Sequence, residues 1–256
     1  MTQVEQYCSR GRSWLLKVKK LEHRIATGTI VFSVILAGVI FGVTGFVVAG
    51  RIESTPRSVC IDPGHSAGGP SSIIDPATGL DVADNRGEPG EINANWELAQ
   101  KVKARLERDG FKVRLTKKSV DSRVDLRKRA DIGNTCSLMV RLHCDVAMQA
   151  IFHPVAGRFK AHGTRRVNVD PVVARKSNEL ALAMFPFLEK VGIRSVSEEM
   201  GGNTDNRGTA YVVSVLSRVP VALIENDPGM VINNPSGQDR VADAVTRGIE
   251  VYFQVK

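Results

Sequence analysis

The sequence predicts an α/β fold, a single domain with a mostly parallel twisted sheet flanked by helices, preceded by one N-terminal transmembrane helix. Two observations carry this reading. Over residues 58–256 short apolar runs alternate with stretches of helical periodicity, the pattern of a parallel sheet covered on both faces. Ahead of them stands one long segment without a charge. The composition, 43% hydrophobic and 24% charged over 256 residues, is that of an ordinary globular chain and by itself says little about function.

Residues 1–27 read as a basic cytoplasmic N-terminus. Gly28 to Gly50 are 23 uncharged residues, and at about 1.5 Å per residue such a helix spans a hydrocarbon core of about 30 Å. Arg10, Arg12, Lys17, Lys19, Lys20 and Arg24 precede it, so the positive-inside rule holds the N-terminus in the cytoplasm and sends residues 51–256 outward. A secretory signal peptide is the competing reading, because Val48-Ala49-Gly50 offers small residues at a cleavage site; the protein would then be secreted. The length of the apolar stretch favours an uncleaved anchor. The net charge is +8, an excess that suits an anionic wall polymer or phospholipid surface. It is too weak to argue for nucleic acid, and no zinc-finger spacing or aromatic RNA-binding cluster accompanies it.

A linker, 51–57, leads to the domain at 58–256. Ser58–Asp62 is an apolar run closed by Pro-Gly, a strand and turn. Residues 66–90 are rich in Gly and Pro, a loop long enough to be functional. Trp96, Leu98, Ala99, Val102 and Leu106 repeat at helical spacing, and Asp109-Gly110 ends that helix. A strand at 111–115, a helix at 124–132 and a strand at 137–142 that ends at His143 follow. Residues 146–170 read as irregular strand and loop. Val172–Val191 is a long helix with a kink at Pro186, 192–209 a second Gly/Asn-rich loop, 211–216 and 219–225 apolar runs with the latter a strand, and Gly237–Phe253 an amphipathic helix. The cysteines, Cys8, Cys60, Cys136 and Cys144, include no CxxC pair. Buried free thiols in strands are the expected state, with one disulfide left open.

In sheets of this kind ligands gather at the carboxyl ends of the strands. Three predicted strands end there in titratable groups: the first runs into Asp62-Pro-Gly-His65, another into His143, a later one into Glu225. Glu91, where the long loop meets a helix, is placed to join them. Two imidazoles and a carboxylate form a three-ligand set for catalytic zinc, with water in the fourth position and a neighbouring carboxylate to move protons. The spacings of 26 and 52 residues contain no HExxH, and a helix-starting Glu is also what the helix dipole alone would favour.

These residues sit in segments that together resemble the zinc-dependent N-acetylmuramoyl-L-alanine amidases of the type 3 catalytic domain, from Val59 to Phe253. VCIDPGHSAGG at 59–69 is similar to the family's opening strand and first zinc histidine, which implies that role for His65. GEINANWELAQKVKARLERDGFKVRLTK at 90–117 resembles the segment whose Glu begins a helix, implying Glu91 as the second ligand. LRKRADIGN at 126–134, with Arg129, is similar to Leu-x-x-Arg-x-x-x-Ala-Asn; RLHCD at 141–145 implies His143 as the third ligand; VPVALIEN at 219–226 implies Glu225 as the catalytic carboxylate. The chain departs from the pattern at Arg141, Cys144 and Asp145, and again after Glu225, where NDPGMVINNP is longer than the family's Gly-Phe-x-x-Asn-Pro.

Asp62, Arg129, Arg141, Asp145 and Asn234 are expected around the ligands or along the groove. His153 and His162 read as solvated loop histidines. The resemblance implies one Zn²⁺ per chain and hydrolysis of the amide between N-acetylmuramic acid and L-alanine in peptidoglycan; the apolar segment and the charges before it make this a single-pass protein of a bacterial cell membrane with its catalytic domain extracytoplasmic. Two alternatives are a silent, membrane-anchored wall-binding or regulatory protein and a zinc peptidase acting on stem peptides. Peptidoglycan, and a membrane through the N-terminal helix, are the partners implied; the sequence names no protein activator.

Overall fold

The computed structural model describes residues 57–160, 166–199 and 212–254. In chain order the strands are β1 (Ser58–Pro63), β2 (Lys112–Leu115), β3 (Leu138–Cys144), β4 (Ala150–Pro154), β5 (Gly157–Lys160), β6 (Arg166–Val169), β7 (Ser195–Glu199) and β8 (Val221–Asn226). The helices are α1 (Glu91–Arg108), α2 (Leu126–Gly133), α3 (Pro171–Leu188), α4 (Val212–Val215), α5 (Pro228–Val231) and α6 (Pro235–Gln254). Six strands make one sheet in the order β2-β1-β3-β8-β4-β7, and β5 with β6 forms a separate antiparallel pair. Within the sheet every pairing is parallel except β4 with β8.

Alternation along each strand divides the core into two layers. Val59 and Ile61 of β1, Leu138, Val140 and Leu142 of β3 and Ala222 and Ile224 of β8 face one side, where α1, α3 and α6 cover them with Leu98, Val102, Met184, Val245 and Ile249. Cys60, Met139 and Val221 face the other, against Leu126 and Ala130 of α2 and Val212 and Val213 of α4. Because every buried strand contacts apolar side chains on both faces, β1 and β3 read as near-continuous hydrophobic runs. Local signals start the helices: Asp125 accepts a hydrogen bond from Lys128 N at the start of α2, and Asp170 accepts from Val172 and Val173 before Pro171 opens α3.

Several expectations change. The 146–170 stretch read as irregular holds β4, β5 and β6; β4 is buried throughout but only five residues long, too short for periodicity to reveal. Its His153 is 6% exposed rather than solvated. The start of the 192–209 loop contains β7, a polar edge strand, SVSEE, with no apolar face to announce it. His143 and Glu225 stand at the carboxyl ends of β3 and β8 as expected, each strand running one residue further, to Cys144 and Asn226. Cys60 is not a free thiol: it is bonded to Cys136 in the turn before β3, which β1 reaches because Val59 pairs with Leu138, while Cys144 stays free and buried.

Among the described residues no helix is long and apolar enough to cross a membrane. The basic N-terminus 1–27, the membrane segment 28–50, the linker apart from Arg57, His162 and the second loop from residue 200 onward lie outside the described residues.

Candidate metal centre

At the carboxyl end of β1 the chain turns through Gly64 into His65, which has a left-handed backbone, φ 62°. A Cβ on Gly64 would stand 2.4 Å from the His143 ring, so glycine is what lets β1 and the β3 imidazole meet. Glu91 is the first residue of α1 and 2% exposed. Its Oε1 accepts from Cys144 N at 3.1 Å and Asn95 Nδ2 at 3.2 Å, and its Oε2 from Glu88 N at 3.0 Å, so the carboxylate is fixed from three sides.

The three side chains converge on one point. His65 Nε2 lies 3.1 Å from Glu91 Oε1 and 3.1 Å from His143 Nδ1, and His143 Nδ1 lies 3.4 Å from Glu91 Oε1. A tetrahedral zinc with bonds of about 2.0–2.1 Å requires neighbouring ligand atoms about 3.3 Å apart. These three atoms therefore form one face of such a tetrahedron, and this is the group among the described residues able to hold a metal. The two histidines offer different nitrogens, Nε2 from the turn and Nδ1 from the strand.

Charge follows the same geometry. Burial alone would push Glu91 up, but hydrogen bonds to His143 and His65 and their charge hold its carboxyl well below the usual range. Burial, with His65 and Arg141 nearby, lowers His143 to about 4 against the opposing pull of Glu91. His65 is desolvated too, yet the Glu91 hydrogen bond and the charges of Glu91 and Asp84 raise it. Glu225 is one strand away and half-buried; β8 runs parallel to β3 with Glu225 in register with His143, so both side chains leave the sheet on the same face. The next residue, Asn226, donates from Nδ2 to the His143 carbonyl at 2.9 Å.

Beneath the three ligand atoms lies a buried polar network. Asp62 accepts from Arg129 Nη1 at 2.8 Å, Arg141 Nε at 3.3 Å and Thr116 Oγ1 at 2.5 Å. Burial would raise it, but the two guanidiniums hold it far below the carboxylate range. Arg129, 1% exposed, also donates to Pro63 O and Ser66 Oγ, to the His65 carbonyl and to Asp84. Arg141 reaches Ser214 of α4 at 3.0 Å. Arg129 thus braces the turn that carries His65 directly, and Arg141 supports it through Asp62.

Two of the expected residues make local structural contacts. Asn234 caps α6, accepting from Gly237 N at 2.9 Å and donating to Gly229 O, and Asp145 shapes the β3–β4 turn by accepting from Ala147 N at 2.6 Å. Asp84, Lys117 and Asn226 escaped the sequence reading. Asn226 adjoins Glu225 in the motif, whereas nothing in the loop or in the Thr-Lys-Lys run marks Asp84 or Lys117. Beside the three ligand atoms opens a cavity of about 380 Å³ lined by Ala67, Arg86, Glu88, Ile92, Asn93 and Asp121.

The sequence model of the N-acetylmuramoyl-L-alanine amidase family matches residues 59–251. No curated protein matches the chain. Among solved structures, the N-acetylmuramyl-L-alanine amidase of Mycobacterium smegmatis is 18% identical and superposes with a TM-score of 0.58 over 78% of this chain and 98% of its own. The apo form of that of Mycobacterium abscessus is 19% identical, with a TM-score of 0.60 over 77% of this chain and 98% of its own. The CwlD amidase from Clostridioides difficile, solved in complex with the GerS lipoprotein, is 16% identical, with a TM-score of 0.53 over 78% and 100%. At these identities the structures speak for the fold.

Proposed function

Since the chain belongs to the N-acetylmuramoyl-L-alanine amidase family and hydrolyses the amide bond between N-acetylmuramic acid and L-alanine in peptidoglycan, we propose that it works as a zinc enzyme: His65, Glu91 and His143 hold one ion per chain and Glu225 is the catalytic base. The observation that carries this reading is the triangle of His65 Nε2, Glu91 Oε1 and His143 Nδ1, with sides of 3.1, 3.1 and 3.4 Å.

When bound, zinc supplies Lewis-acid polarisation of the scissile carbonyl and makes water acidic enough to attack near neutral pH. The protein's own groups do the rest. Glu225, in register with His143, takes the proton from the attacking water and delivers it to the L-alanine nitrogen as the C–N bond breaks. Against the cost of its burial, hydrogen bonds to His143 and His65 and their charge keep the Glu91 carboxylate ionised, and its place at the helix start favours the same charge. The cavity next to the site, with Arg86, Glu88 and Asp121 around apolar Ile92, accommodates a peptide whose polar groups carry both charges.

The domain acts outside the membrane in this reading, anchored by residues 28–50. Its Cys60–Cys136 bond supports that location, because disulfides persist in oxidising compartments and are rare in cytosolic proteins. The test is Glu225→Gln with mass spectrometry of digested peptidoglycan. The variant is expected to bind one zinc per chain while release of stem peptides with a free L-alanine amine falls by about 10²–10⁴-fold. Undiminished release refutes the assignment of Glu225, and fragments cut within the stem peptide refute the amidase specificity.

A further inference from the structure

We propose that Lys117 is a positioning residue for His65: with Arg129 it clamps the His65 carbonyl oxygen and holds the turn in the conformation that aims Nε2 at Glu91 and His143. The inference rests on the metal reading above and concerns a residue that plays no part in the proton transfers.

Lys117 follows β2 and is 2% exposed. Full burial of a lysine is rare unless its ammonium is paired. Among the described residues this one makes no ion pair, and Asp62 and Asp84 offset its charge only from a distance. Its hydrogen bonds go to backbone: Nζ donates to the His65 carbonyl at 2.8 Å and approaches that of Gly64 at 3.5 Å. The His65 oxygen also accepts from Arg129 Nη2. Two cations on one peptide oxygen is a costly arrangement, and it is concentrated on the residue whose φ of 62° a non-glycine side chain seldom adopts.

The ring explains why the backbone must be held. A metal-bound histidine is ordinarily aimed by a hydrogen bond from its second nitrogen to a carboxylate or carbonyl. His65 Nδ1 is buried without a hydrogen bond of ordinary length; the Asp84 carboxylate is 4.0 Å away and the Asn85 side chain stands beside it. With the ring so weakly tethered, the direction of Nε2 is set by where the backbone puts the Cα–Cβ bond, and the clamp sets the backbone. Lys117 comes from the segment just after β2 and Arg129 from α2, so the metal ligand is tied to two separate parts of the fold.

The experiment compares wild type, Lys117→Met and Lys117→Arg in the full-length protein in detergent. Zinc affinity is read by competition with a chromophoric chelator, the ligand field by the absorption of the Co²⁺-loaded protein, and folding by the melting temperature of the metal-free protein. Methionine keeps the apolar stem and removes the ammonium, so zinc affinity is expected to fall by about 10–100-fold. The Co²⁺ spectrum should change, and the metal-free melting temperature should stay within about 5 °C of wild type. Arginine, which still donates to a carbonyl, should restore affinity to within about threefold. The clamp is refuted by a Lys117→Met protein that binds zinc as wild type does. It is equally refuted if that variant's loss of affinity accompanies a large drop in metal-free melting temperature that arginine does not repair, the mark of a structural role. A wild type that takes up no zinc overturns the metal reading itself, and the clamp with it.

Discussion

Replacing Cys136 by alanine removes a crosslink that spans 76 residues, from β1 to the turn before β3. In the chain-entropy treatment, opening a loop of that size restores about 15 cal/mol/K to the unfolded chain, or about 4.5 kcal/mol at 25 °C. Cys60 is fully buried on the inner face of β1, and once freed its thiol can donate to the Ile132 carbonyl 3.3 Å away, so the folded state loses little else. A folded domain of about 200 residues shifts by roughly 2–4 °C per kcal/mol, which puts the expected fall in melting temperature at roughly 9–18 °C. Circular dichroism melting of the full-length protein, with and without a reductant, measures it: reduction should bring wild type down to the variant and leave the variant where it was. Alkylation in denaturant before reduction, which exposes the buried Cys144, should label Cys8 and Cys144 and spare the other two. A wild type that melts within about 3 °C of Cys136→Ala, or that is labelled at Cys60 without reduction, shows the reasoning to be wrong.

Two further perturbations test the polar network and the packing around the ligands. Asp62 has a folded-state pKa depressed by Arg129 and Arg141 against the upward push of burial, so its contribution to stability is present above about pH 4 and is lost as pH falls below that. Asp62→Asn is expected to cost about 3–5 kcal/mol at pH 7, because two buried guanidiniums lose their shared anion. Its unfolding free energy should also vary less between about pH 4 and pH 2 than that of wild type, and an unchanged acid slope in urea titrations counts against the depressed pKa. Gly87→Ala would place a Cβ 2.4 Å from Glu91 Oε2 and 2.5 Å from His65 Cδ2 at a φ of 64°. Zinc affinity should drop by at least about tenfold, and wild-type affinity in that variant means the loop is not packed as described.

How much of this was legible depends on whether the signal was local. The strands β1, β3 and β8 and the helices α1 and α6 announce themselves through long apolar runs or periodicity, since each buries a whole face against the same core. Short or polar elements do not. β7, SVSEE, sits at the sheet edge and gives the core a single apolar side chain, Val196, and β4 is five residues whose burial comes from neighbours distant in sequence. The histidines, Glu91 and Glu225 were visible as polar groups at strand ends and a helix start, but their spacing alone left the choice between ligands and structural residues even.

By itself the sequence determined the layered α/β architecture, the apolar stretch 28–50 and the residues His65, Glu91, His143 and Glu225, because patterning and motif are properties of consecutive positions. The tertiary structure alone decided that His65 Nε2, Glu91 Oε1 and His143 Nδ1 lie 3.1–3.4 Å apart. It also decided that Cys60 meets Cys136, and that Lys117 is buried against the His65 carbonyl. Each of these joins segments 26 to 78 residues apart in a contact of a few ångströms, and the strand order β2-β1-β3-β8, a product of the whole core's packing, is what brings them together.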